Sequence, residues 1–238
     1  METPHEEQAS TMTARRNGAR AVRVTGIAGN ERINALSDGV FAIVMTLLVL
    51  ELRVPEVPAP ELLRAMPELV PEVLAYSVSF VVLGIYWVGQ HNMLMHIKRH
   101  DRTFLWLNIL FLLIVASMPF PTALVLHYSE EQVAVVIYAA TLVLGGLSLD
   151  LMWWYATHNR RLVSEQIDPA LIGFVHRRVL MAPVLYLGAI ALSFLSVDAA
   201  KLLFALVALL YILPSPLDRR HHWALNAGKQ PEDIEITG

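Results

Sequence analysis

The chain has 238 residues, 55% of them hydrophobic and 16% charged, with a mean hydropathy of +0.51. Ordinary soluble domains carry about 25% charged residues, so this composition belongs to a chain that crosses a membrane several times. Cysteine is absent, which excludes disulfides, thiol catalysis and cysteine-based metal sites. The formal charge of −3 says little by itself, and no nucleic-acid partner is expected from it.

The first thirty or so residues are polar and carry Arg15, Arg16, Arg20 and Arg23. They lack the apolar core and small-residue cleavage site of a signal peptide, so they read as a cytoplasmic tail. Glu2, Glu6 and Glu7 argue against a mitochondrial targeting segment.

A membrane span needs about 20 mostly apolar residues. Six segments qualify: Asn34–Leu52, Glu72–Ile97, Thr103–Leu126, Gln132–Tyr155, Val175–Ser196 and Ala199–Pro214. The last is short and is stopped by Pro214 and Pro216. The expected fold class is therefore all-α, a polytopic membrane protein with six transmembrane helices. Residues 1–31 and 218–238 form tails around a membrane domain at 32–217.

The connections alternate in charge. The N-terminal tail, Lys98–Arg102, Arg160–Arg178 and the Arg219-Arg220 pair hold most of the Lys and Arg. The intervening loops hold only Arg53, Arg64 and Lys201, beside Glu51, Glu56, Glu61, Glu68, Glu72, Glu130 and Glu131. The positive-inside rule puts both termini in the cytoplasm, which agrees with an even number of spans. Anionic lipid contact at the basic ends follows from charge.

Several polar residues lie inside these spans at one depth. A carboxylate within a span is expensive and is a functional-site hypothesis by default. Asp38 lies about four residues into the first span, His91 about six residues before the inner end of the second, and Asn108 about five residues into the third. All three fall roughly 6–9 Å inside the cytoplasmic boundary, with Trp87 and Trp106 near the same level. A carboxylate, an imidazole and an amide can satisfy one another. The expected network is Ser37, Asp38, His91 and Asn108, with Trp87 donating its indole N–H and Arg32 joining from the boundary. It either fixes helix packing or, through the titration of His91, forms a proton-sensitive gate. Asp150 in the fourth span is a second acid, with a partner expected among His176, Arg177 and Arg178.

At 100° per residue, Leu36, Gly39, Ile43, Thr46 or Leu47, and Leu50 share one stripe of the first helix, nearly opposite Asp38 and Phe41. A helix that sends Asp38 inward sends that stripe toward lipid, a neighbouring subunit or a pore. On periodicity alone it is ordinary packing, with Thr46 bonding a carbonyl one turn back.

The residues Arg32-Ile33-Asn34-Ala35-Leu36-Ser37-Asp38 at the base of the first span resemble the signature of the transmembrane protein 175 family of potassium channels. Tyr86-Trp87 followed by His91, Trp106-Leu107-Asn108, and Met118-Pro119-Phe120-Pro121-Thr122 resemble that family's second- and third-span patterns. The match covers roughly Arg32 to Thr122; Leu36 stands where the family more usually has phenylalanine. The resemblance implies passive conduction of K+ through a homotetramer, with the first helices around the axis. Ile43 and Leu50 would be apolar rings, Thr46 a polar layer passing K+ transiently, and Gly39 would face the inner vestibule. It also implies that the second-span Trp and His, the Ser-Asp motif and the third-span Asn form a hydrogen-bonded cluster. Family members with one repeat are tetramers of the bacterial plasma membrane, and this chain shows one repeat.

The competing reading is a proton-coupled transporter using Asp38, His91 and Asp150, although no internal repeat is evident and the acids lie off-centre. An enzyme is not expected: there is no His-Glu-x-x-His motif and no Gly-x-Ser-x-Gly elbow. No cofactor is expected. His221-His222 reads as a solvated juxtamembrane face more readily than as a metal site.

Overall fold

The computed structural model describes residues 31–213. The expected tails, with the arginines of the first thirty residues, Pro214, Pro216, Arg219, Arg220 and His221-His222, lie outside the described residues.

Within them the chain is all-α, with six main helices. α1 spans Glu31–Glu51 and tightens into a 3-10 turn over Leu48–Glu51. A segment of short helical turns, Ala59–Glu61, Leu62–Ala65 and Met66–Leu69, leads into α2 at Val70–His96. α3 spans Arg102–His127, α4 Gln132–Thr157, α5 Pro169–Ser193 and α6 Val197–Ile212. Among the described residues, five helices are long and apolar enough to cross a membrane. α6 has 16 residues, about 24 Å at 1.5 Å per residue, short of a hydrocarbon core about 30 Å thick.

Local chemistry sets the helix ends. Asp101 caps α3 by accepting from Phe104 N at 2.9 Å, Asp168 caps α5 from Ala170 N at 2.8 Å, and Ser196 caps α6 from Ala199 N at 3.3 Å. Pro169 follows its cap at the first helical position, where a missing N–H costs nothing. That cap starts α5 six residues before the expected Val175, because capping fixes the boundary ahead of the apolar run.

α3 is one span with a break. Pro119 has no N–H for the Val115 carbonyl, and Met118 N takes that carbonyl instead at 3.1 Å. The helix resumes at Pro119 with Met118 still helical in backbone. Thr122 Oγ1 then bonds Met118 O at 2.9 Å and Ser79 Oγ at 3.1 Å, and Ser79 meets Tyr138 OH at 3.0 Å. This buried hydroxyl chain joins α2, α3 and α4.

α4 is the central helix, more than half buried. It lies close to α5 because Gly146 has no side chain: a Cβ there would sit 2.5 Å from Pro183 Cγ. Tyr86 of α2 lies over Gly145 in the same way, and its hydroxyl donates to Leu142 O at 2.5 Å. At the end of the bundle where α1 finishes, Lys201 of α6 pairs with Asp198 at 2.9 Å and Glu130 at 3.6 Å.

Candidate functional site

α1 has two faces. Ile33, Ser37, Phe41, Val44 and Leu48 are buried at spacings of three and four residues, the stripe that packs a helix against its neighbours. Phe41 meets Phe111 of α3 with ring centroids 6.0 Å apart, and Phe111 meets Tyr86 edge-on at 6.2 Å. The other side carries Leu36, Gly39, Ile43, Thr46, Leu47 and Leu50, all exposed. Ile43 is 60% and Leu50 73% exposed. A Cβ on Gly39 would meet nothing within 4 Å. Thr46 Oγ1 donates to Ile43 O at 2.8 Å, so its proton is committed and its oxygen lone pairs are left toward that face.

The buried face is held by amides and a hydroxyl. Gln90 of α2 donates from Nε2 to Ser37 Oγ of α1 at 3.0 Å and to Asn108 Oδ1 of α3 at 2.6 Å. Ser37, Gln90 and Asn108 are all nearly inaccessible. A buried amide must find partners or lose about 1–3 kcal/mol for each group left unmade, so these three side chains fix the rotation of α1 against α2 and α3. Beside them, Trp87 Nε1 donates to Asp38 Oδ1 at 2.7 Å.

The arrangement differs from the sequence expectation at three residues. His91 is exposed and makes no hydrogen bond to Asp38; its ring stacks on Trp87 at 5.6 Å. Arg32 is exposed and has no hydrogen-bond or ion-pair partner among the described residues. Asp38 does not point inward. It lies exposed at the edge of the α1 contact, and Ser37 fills the core. Gln90 takes the central place that the expectation gave to His91. Depth along a span cannot separate neighbours 1.5 Å apart, whereas a rotation of 100° sends them to different faces. Trp106 is 60% exposed and takes no part.

Asp150 of α4 lies 2.7 Å from His176 Nδ1 of α5, so His176 is the partner among the three candidates. The contact is an ionic one when the imidazole is protonated. α4 and α5 also meet at Trp153, whose Nε1 donates to Ile172 O at 3.2 Å. Among the described residues no three His, Asp or Glu side chains converge on a common point. Chemically, the exposed face of α1 offers bulky aliphatic side chains, one hydroxyl and an open glycine.

Known proteins resemble this chain over that helix and beyond. The sequence model of a family described as "Endosomal/lysosomal potassium channel TMEM175" matches residues 32–119. A protein of Streptomyces collinus named a potassium channel is 35% identical over 185 residues, covering 76% of this chain and 90% of that protein. The crystal structure of "a lysosomal potassium-selective channel TMEM175 homolog from Chamaesiphon Minutus" matches with a TM-score of 0.70 at 32% identity, over 78% of this chain and 97% of that one. The "Endosomal/lysosomal proton channel TMEM175" of Gallus gallus is 36% identical over 111 residues, 43% of this chain and 22% of that protein.

Proposed function

The chain belongs to the TMEM175 family, and from that membership we propose that it conducts K+ passively through a pore lined by α1 from each of four identical subunits. The observation that carries this reading is the division of α1. One face is locked by Ser37, Gln90 and Asn108, while the other leaves Ile43 and Leu50 exposed with Thr46 between them. One helix cannot enclose a pore, so several copies must bring this face together.

In this reading Ile43 forms the narrowest ring, with Leu50 a second apolar ring further along. Closely spaced aliphatic rings exclude water, and ions do not cross a dry constriction. Widening the ring admits water and hydrated cations. Thr46, whose hydroxyl proton is committed to Ile43 O, offers oxygen lone pairs that in this reading briefly replace part of the K+ hydration shell. Gly39 leaves room for a vestibule on the other side of Ile43. The sequence has no Thr-Val-Gly-Tyr-Gly filter to cage a bare ion, so discrimination of K+ from Na+ is modest. Glutamates at the far mouth, Glu51 among them, raise the local cation concentration. The protein is a multi-pass membrane protein; the plasma membrane and cytoplasmic termini follow from the single repeat and the positive-inside rule. In the same reading α6, although short at 16 residues, serves as the sixth span, with local thinning of the bilayer making up the difference.

Flux in proteoliposomes under K+, Na+ and H+ gradients tests the reading. Wild-type protein passes K+ ahead of Na+ without a proton gradient, and Ile43→Ala raises the flux severalfold. Flux that requires or is dominated by protons points instead to the transporter built on Asp38, His91 and Asp150. Native mass spectrometry of the same sample checks for four copies.

A further inference from the structure

Two loops at one end of the bundle are joined backbone to backbone. Lys98 N donates to Leu162 O at 2.8 Å, Arg99 N donates to the same oxygen at 3.2 Å, and Ile97 pairs with Val163 in an antiparallel bridge. Asp101 fastens the junction from the side: it accepts from Tyr155 OH at 2.7 Å and pairs with Arg161 Nε at 3.0 Å. Arg161 in turn lies over the Tyr155 ring, 4.9 Å from its centroid.

The junction gathers Lys98, Arg99, Arg102, Arg160 and Arg161, cations from two loops far apart in sequence, onto one rim. Its acids are largely engaged. Asp101 is spent on Phe104 N, Tyr155 and Arg161, and Asp168 on the α5 cap. Glu165 is exposed, and the Arg160 guanidinium donates to its backbone carbonyl. Lys98, Arg99 and Arg102 are exposed, and their side chains have no hydrogen-bond or ion-pair partner among the described residues. About one helical turn further in, Trp106 of α3 and Trp154 of α4 are 60% and 50% exposed. Exposed indoles just inside a belt of Lys and Arg mark the boundary between headgroups and hydrocarbon.

We infer that this junction is a binding rim for the headgroup of an anionic phospholipid. Lys98, Arg99 and Arg102 take the phosphodiester, and Trp106 and Trp154 lie against the glycerol and upper acyl chain. Isolated basic loops attract anionic lipid diffusely. Here backbone pairing holds the two loops side by side before lipid arrives, so less backbone ordering entropy is lost on binding. The inference rests on a membrane location, not on ion conduction, so a failure of lipid binding leaves the channel reading untouched.

The experiment uses the full chain purified in a zwitterionic detergent, with bound lipid read by native mass spectrometry. The probes are phosphatidylglycerol, phosphatidylcholine and inorganic phosphate. Phosphatidylglycerol is retained and phosphatidylcholine is not. The double variant Lys98→Gln/Arg99→Gln weakens retention, by about fivefold per charge removed. Arg53→Gln/Arg64→Gln, which removes two charges at the opposite end, leaves it unchanged. Equal losses from the two pairs would mean diffuse attraction and would overturn the rim. So would inorganic phosphate displacing the lipid at equal concentration. Asp101→Asn is the second variant, with Asn retaining the helix cap. It adds one positive charge to the rim but loosens the junction, so affinity falls; a rise in affinity overturns the proposal.

Discussion

Gln90 reaches from α2 to Ser37 of α1, Nε2 to Oγ at 3.0 Å, and the same nitrogen binds Asn108 of α3 at 2.6 Å. One amide therefore decides how the first helix is turned relative to its two neighbours. The consequence is functional under the pore reading, because turning α1 moves Ile43 and Leu50 toward or away from the axis. The amide does not titrate, so this link persists at any pH the fold survives.

Gln90→Leu leaves Ser37 and Asn108 without their shared donor in a buried site. Each unmade group costs about 1–3 kcal/mol, so the variant melts several degrees lower and assembles poorly in size-exclusion chromatography. Gln90→Glu has at most one O–H in place of the amide's two N–H donors, and none when ionised, so it is expected to melt lower as well. A normal melting temperature for either variant would remove Gln90 from its central place.

Asp38→Ala deprives the Trp87 indole of its acceptor. The expected first effect is loss of assembled protein, measured as oligomer yield, before any change in ion discrimination. Asp38→Asn keeps an acceptor oxygen and restores most of the yield. Full assembly of Asp38→Ala with altered K+ over Na+ preference would contradict a holding role.

Gly146→Ala and Gly39→Ala separate packing from function. At Gly146 the added methyl meets Pro183 Cγ at 2.5 Å, so α4 and α5 must part; overpacking of this kind costs about 1–3 kcal/mol and lowers the melting temperature. At Gly39 nothing lies within 4 Å, so the melting temperature of Gly39→Ala stays put or rises slightly, since alanine favours the helix. A lower single-channel conductance in Gly39→Ala, with unchanged stability, is the outcome expected if it lines the vestibule.

Asp101 lies outside the spans and sets a pH dependence. Partial burial pushes its carboxyl up, but bonds from Phe104 N–H, the Tyr155 hydroxyl and Arg161 outweigh it, and the net effect is a lowered pKa. A carboxyl lowered on folding stabilises the protein above its unfolded pKa of about 4, and that stabilisation is lost as pH falls through the folded value. The melting temperature of the wild type therefore exceeds that of Asp101→Asn at pH 7. The gap closes on acidification below about pH 4. A gap independent of pH would mean that the carboxylate charge is not what holds the junction.

Much of this architecture is legible in the linear chain because hydropathy is a local property. Five long apolar helices appear close to where runs of apolar residues place them, and the stripe through Ile43, Thr46 and Leu50 follows from a 100° rotation per residue. The family signature around Ser37-Asp38 is likewise readable by eye. Hydropathy reads the third span as unbroken from Thr103 to Leu126; the break at Met118 and its repair through Val115 O and the Thr122 hydroxyl appear only with neighbouring backbone and side-chain positions.

By itself, then, the sequence determined a polytopic helical membrane protein, its basic and acidic ends, and which face of α1 is free of polar anchors. Only the tertiary structure decided which polar side chain anchors it. Gln90 and His91 differ by 1.5 Å in depth, and both have the chemistry to bind an amide or a hydroxyl. What separates them is the rotation of α2 against α1 and α3, set by Tyr86 over Gly145 and the Ser79, Thr122 and Tyr138 hydroxyls. The same holds for His176 as the partner of Asp150 and for the joining of Lys98 to Leu162. Contacts between segments far apart in the chain depend on how whole helices are turned and packed, and no local spacing encodes that.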